Sequence, residues 1–166
     1  HVALDPYQPN WYPHLQLDVD GSGGAALPDK TTGPATWSFA VFSTDQLGNH
    51  MFHGYMYGLV NTLPNTPTYI GAQVSTSATA ELSAMAYALM WALSVVCAQG
   101  PPDLEWPALT FVFHFDCMLV DGVATKFFNV AKHSILIDTI RALSMAIVQL
   151  AHASFEHVPA HTGQPW

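Results

Sequence analysis

Three carboxylates in this chain, Asp20, Glu81 and Asp116, stand where the residue pattern changes. Asp20 closes an alternating run, His14 to Asp20, whose two-residue period is that of a half-buried strand, and Gly21 to Gly24 (G-S-G-G) breaks it. Asp116 closes a short apolar run, Leu109 to Phe115, rich in β-formers and bounded by turn residues. Glu81 falls in the first turn of a helix whose period starts near Ala78. If the two strands are parallel neighbours, their carboxyl-terminal ends lie side by side. The helix leading into the second strand then runs antiparallel to it and brings its N-terminus to the same edge, where ligands gather in open α/β sheets. Three carboxylates so close raise one another's pKa, and a hard divalent cation relieves the repulsion. An oxygen-only donor set points to Mg²⁺ or Mn²⁺. Two such ions about 3.5–4 Å apart can clamp the attacking and leaving oxygens of a phosphodiester. Each residue also has a plainer reading. Asp20-Gly21 is a turn dipeptide, Glu81 can answer the helix dipole, and Asp116 can cap a following helix. Their shared register favours the metal.

The elements that must position these groups follow from composition and period. The 166 residues include 12 acidic and 4 basic side chains, for a net charge of −8, with half the residues apolar and 10% charged. That fits one domain with a sizeable core and excludes a disordered chain. Scarce Lys and Arg argue against a self-sufficient nucleic-acid clamp. Cys97 and Cys117 match neither a disulfide framework nor a zinc module, so an intracellular, reducing setting (cytoplasm or nucleus) is expected. No signal peptide is visible, and the absence of an initiator Met reads as a fragment of something longer. Residues 1–13 read as an extended lead-in and 14–166 as the domain.

Strands are expected at 14–20, 37–42, 49–60, 109–115 and 155–160, with long helices from near Ala78 and around Leu136 to Leu150 and an irregular insertion at 61–76. Three leading strands suggest a meander, and the later strand–helix–strand units suggest parallel pairing. Leu82 to Ala98 carries no charge, but Glu81, Gln99 and two prolines bound it with no basic anchor, so a buried core helix and no membrane partner are expected. Asp18 reads as solvated or hydrogen-bonded, with an outer-ligand role as the alternative. His50, His53, His114 and His133 read as core-edge or surface residues, and the two cysteines as small buried hydrophobes. Trp37, Tyr55 and Tyr57 read as sheet core or edge before base-stacking groups. Pro159 speaks against a zinc pair of His157 and His161.

On its motifs the chain resembles ribonuclease H of type I, most of all the domain of a retrotransposon reverse transcriptase. Asp20-Gly21-Ser22 resembles that family's T-D-G-S, and Trp37 to Phe42 (W-S-F-A-V-F) its second strand. Ala80-Glu81-Leu82 with Ala86, Ala88 and Leu89 is similar to its R-A-E-L…A…A-L helix. Phe115-Asp116-Cys117 resembles T-D-S, and Val120 to Val123 the short helix after it. Val158 to Gly163 (V-P-A-H-T-G) resembles the loop before the last helix. The resemblance spans residues 15 to 166 in the family order.

It implies an α/β ribonuclease H-like fold, a five-stranded mixed sheet in the order 3-2-1-4-5 flanked by helices on both faces. It implies that Asp20, Glu81 and Asp116 hold two Mg²⁺ ions (Mn²⁺ substituting), that His161 assists product release or proton movement, and that Gly21, Ser22 and Ser77 meet substrate. The implied reaction is hydrolysis of the RNA strand of an RNA–DNA hybrid, beside a reverse transcriptase domain of a retroelement polyprotein. The chain departs from the family in four ways: it ends at Trp166 before the fourth carboxylate and last helix, it carries Ser77, Ala78 and Thr79 before Glu81, it lacks a basic handle, and it has the insertion at 61–76. A non-cutting module with a structural or binding role is the alternative.

Overall fold

The computed structural model describes residues 14–24, 33–45, 47–99, 109–116 and 134–159. Alternation makes the strands: β1 (His14–Ser22), β2 (Thr36–Thr44), β3 (His50–Leu59), β4 (Thr110–Phe115) and β5 (His152–His157). Longer apolar periods make the helices, α1 (Ser77–Gln99) between β3 and β4 and α2 (Ser134–Leu150) between β4 and β5. The sheet order is β3-β2-β1-β4-β5. β1 pairs antiparallel with β2, and β2 with β3, while β4 runs parallel to both β1 and β5. This is the mixed sheet the resemblance implied.

One face of the sheet is the core. Leu15, Leu17 and Val19 of β1 share it with Trp37, Phe39 and Val41 of β2 and with Phe111, Phe113 and Phe115 of β4, all buried. Against it lies α1, whose Ala80, Ala84, Ala88 and Ala92 recur every fourth residue and are fully buried. So short a side chain allows close approach of helix to sheet. α1 is long and apolar enough to cross a membrane. Here it is the central core helix, and α2 packs beside it through buried Leu136, Ile137, Ile140 and Ile147. Both described helices therefore cover one face. The expected helix on the second face is not among the described residues, and the expected 1–13 lead-in and Val120 to Val123 segment lie outside them.

Two boundaries differ from the pattern. α1 begins at Ser77 because Thr76 caps it, its Oγ1 accepting from the Thr79 amide while the Thr76 amide donates to Thr79 Oγ1 at 2.8 Å. Glu81 is thus the fifth helical residue, past the first turn. β5 begins at His152, not Phe155, because the His152 amide bonds Leu109 O at 3.0 Å directly after the last α2 bond, Ala151 to Ile147. Strand pairing there outranks the apolar count.

Residues 61–76 form no helix or strand but are tied down. Asn61 Nδ2 donates to Thr66 Oγ1 and Thr68 Oγ1, its Oδ1 accepts from the Leu63 amide, and Tyr87 of α1 donates to Thr68 O. Trp37 stacks on Tyr87 at 4.0 Å and donates to Leu59 O, which makes it a core residue. Tyr55 and Tyr57 stand exposed on the outer strand β3. Cys97, expected to be buried, is an exposed free thiol on the last turn of α1, and Cys117 lies outside the described residues.

Candidate metal centre

The β1–β4 pairing runs from His14↔Thr110 to Asp18↔His114. Asp20 and Asp116 each stand two residues further on, side by side at the carboxyl-terminal ends of two parallel strands. Glu81 reaches them from α1 because that helix presses on β1. A Cβ built on Gly21 would lie 2.2 Å from the Glu81 nitrogen and 2.5 Å from the Ala80 carbonyl carbon, so only a glycine admits this approach. One carboxylate oxygen from each of Asp20, Glu81 and Asp116 lies within 4.8 Å of the others.

The three environments differ. Asp20 is exposed, Asp116 half-buried and Glu81 buried, 7% exposed. Burial, then the charges of Asp116 and Asp20, push the Glu81 carboxyl up to about 8, while the Gly21 amide donating to it works the other way. Glu81 Oε2 is buried without a hydrogen-bond partner, an arrangement that costs free energy unless a cation or proton satisfies it. An oxygen-only donor set, mutual repulsion and an orphaned carboxylate oxygen fit a hard divalent ion. Asp20, Glu81 and Asp116 are the residues that could hold it.

The other expected site residues sit at the rim or beyond. Ser22 is exposed, its hydroxyl donating to Gly23 O at 3.1 Å. Ser77 is exposed at the start of α1, its Cβ 3.4 Å from where a Gly23 Cβ would stand. Gly21 presents its amide to Glu81 and abuts α1. His161 lies outside the described residues. Arg141 is the one Lys or Arg among those described and pairs with Asp138 at 3.9 Å.

A polar row on the second sheet face escaped the sequence reading. Asp18 accepts from Gln16 and pairs with His114 Nδ1 at 3.0 Å, and Glu156 lies 3.5 Å from His114 Nε2. Asp18 is thus hydrogen-bonded to neighbours. The bond with Asp18 raises the His114 pKa against the effect of burial, and the charges of Asp18 and Glu156 add to it. The only sequence signal was that all three hold the polar parity of their strands. His157 Nε2, 3.1 Å from Asp116 O, was likewise not foreseen.

The fold these elements define is ribonuclease H-like, with an acidic cluster at the sheet edge where ligands of open α/β sheets collect. Among solved structures, LC11-RNase H1 in complex with an RNA/DNA hybrid aligns over 90% of this chain and 88% of its own at 16% identity, TM-score 0.57. The N-terminal RNase H domain of a Mycobacterium tuberculosis protein aligns over 88% and 87% at 17% identity, TM-score 0.56. The PFV RNase H domain aligns over 90% and 81% at 15% identity, TM-score 0.58. No family model and no curated protein matches the sequence.

Proposed function

We propose that this chain is a metal-dependent endonuclease that hydrolyses the RNA strand of RNA–DNA hybrids. The observation that carries the reading is the cluster of Asp20, Glu81 and Asp116 within 4.8 Å at the ends of adjacent parallel strands in a ribonuclease H-like sheet. The three carboxylates would hold Mg²⁺ or Mn²⁺, in the two-ion arrangement that suits phosphodiester hydrolysis. Bound there, the ions supply Lewis acidity for the scissile phosphate and the attacking water, and hydrolysis leaves a 5′-phosphate and a 3′-hydroxyl. Glu81 gives up its proton to become a ligand, and the Gly21 amide favours the charged form. Ser22 and Ser77, both exposed, would hydrogen-bond the sugar edge, where the 2′-hydroxyl distinguishes RNA from DNA. His161 would assist product release or proton movement.

The similarity to LC11-RNase H1, crystallised with a hybrid, supports the substrate class. The prototype foamy virus protease–reverse transcriptase aligns over 95% of this chain and 19% of its own at 16% identity, TM-score 0.53. That supports a place beside a reverse transcriptase domain in a retroelement polyprotein. An intracellular setting, cytoplasm or nucleus, belongs to the same reading. One observation favours a non-cutting module instead: the net charge of −8 with only 4 basic residues, since phosphate contacts dominate affinity for nucleic acid.

Cleavage of a labelled RNA–DNA hybrid with Mg²⁺ and then Mn²⁺, beside an Asp116→Asn control, tests the reading. RNA-strand cutting that the substitution abolishes is the expected result. Hybrid binding without cutting in either metal would favour the non-cutting module.

A further inference from the structure

Asp116 sits one residue past the end of β4, where the strand ladder no longer holds it. The pairing with β1 stops at Asp18↔His114, and the pairing with β5 stops at Phe115↔His157. At that point the end of β5 still holds the chain leading into the ligand in two ways. The Val158 amide donates to Phe115 O at 2.8 Å, and the His157 ring extends one residue further, its Nε2 lying 3.1 Å from the carbonyl oxygen of Asp116. A carbonyl can only accept, so this bond requires the hydrogen on Nε2. The ring also packs at 5.9 Å against Phe115, which is fully buried, so its approach is braced by the core.

We infer that His157 is a positioning residue for Asp116: its Nε2–H continues the sheet's hydrogen bonding under a metal ligand and fixes the backbone from which the carboxylate projects. The inference rests on the reading of the carboxylate cluster as a divalent-metal site. Partners that orient a ligand are usually worth about 10–100-fold in metal affinity or activity. His157 acts on the ligand's backbone and not on its carboxylate, which puts the expected effect at the lower end of that range. The effect belongs to metal binding: at saturating metal the same ligands are in place.

The test uses the full 166-residue chain with Mn²⁺ alone, followed by calorimetry, and the Mg²⁺ dependence of hybrid cleavage. His157→Phe keeps a ring against Phe115 and removes the donor. His157→Gln returns a donor of similar reach. His157→Phe is expected to weaken Mn²⁺ binding about tenfold and to raise the Mg²⁺ needed for half-maximal cleavage by the same factor, with the saturated rate kept. His157→Gln is expected to recover most of both, and the metal-free melting temperatures of the two variants should agree. Wild-type Mn²⁺ affinity in His157→Phe overturns the inference. So does equal weakening in both variants, which would mark a purely structural role. A wild-type chain that binds no Mn²⁺ overturns the metal site itself, a result distinct from either.

Discussion

Gly21 and Glu81 meet backbone to backbone: a Cβ on Gly21 would stand 2.2 Å from the Glu81 nitrogen and 2.7 Å from its Cα. The neighbours of that missing atom are main chain and cannot rotate away. Gly21→Ala should therefore push α1 off β1, at a cost of about 2 kcal/mol or more, since overpacking alone costs typically 1–3 kcal/mol. Urea denaturation reads the stability. The same variant should lose metal affinity, because Glu81 moves away from Asp20 and Asp116. Unchanged values for both would mean the helix can shift without consequence.

The raised pKa of Glu81 predicts a pH dependence in metal-free protein. From its ordinary value near 4.5 up to about 8, the folded state holds a proton that the unfolded state has lost. Stability is therefore greatest below 4.5 and falls as pH rises through 8. The scale is about 1.4 kcal/mol per pKa unit, less where water reaches the carboxyl. Glu81→Gln should flatten this decline and make the metal-free chain more stable than wild type at pH 8, while abolishing metal binding. Denaturant midpoints across that range, with and without EDTA, check it.

Metal binding should release a proton at neutral pH. Glu81 is largely protonated there when the site is metal-free, and a ligating carboxylate must be ionised. Calorimetry of Mn²⁺ binding in buffers of different ionisation enthalpy should show proton release that vanishes in Glu81→Gln along with the binding. Release unchanged by pH between 6 and 9 would contradict the assignment.

His114, held between Asp18 and Glu156 on the second sheet face, should titrate above an ordinary histidine. The His114 pKa is raised, so its stabilising pairing is complete below about 6.5 and is lost as pH climbs through the folded value. The partly exposed pair should contribute below about 1 kcal/mol. By NMR, Asp18→Asn should lower the His114 pKa more than Glu156→Gln does, since Asp18 is nearer, 3.0 against 3.5 Å.

The 61–76 segment should depend on Asn61. Asn61→Ala removes bonds to Thr66, Thr68 and Leu63, each worth roughly 1 kcal/mol net. The expected result is a loss of about 1–2 kcal/mol, accompanied by faster amide exchange at Leu63 and Thr66. Exchange that is unchanged at those amides would show the loop held by Tyr87 and its own packing alone.

Much of this protein was legible because its chemistry stands at pattern boundaries. The alternation of His14 to Asp20, the apolar run ending at Phe115 and the helical period beginning near Ala78 each mark an element's end. Local periodicity and turn chemistry are properties of neighbouring residues, so the sequence by itself determined the order of elements and the candidates Asp20, Glu81 and Asp116. Where two local signals competed, as at Thr76 before α1 and at His152 before β5, hydrogen bonding settled a boundary that hydrophobic counting could not.

The tertiary structure decided whatever depends on distance between elements remote in sequence. That Asp18, His114 and Glu156 form one row follows from the register of β1, β4 and β5, which no single segment contains. That Gly21 is an amide donor and a point of close approach follows from where α1 lies. The protonation of Glu81 is set by burial and by two charges that reach it only in the folded chain, and the reach of His157 to Asp116 exists only because β5 stays paired to the last residue of β4.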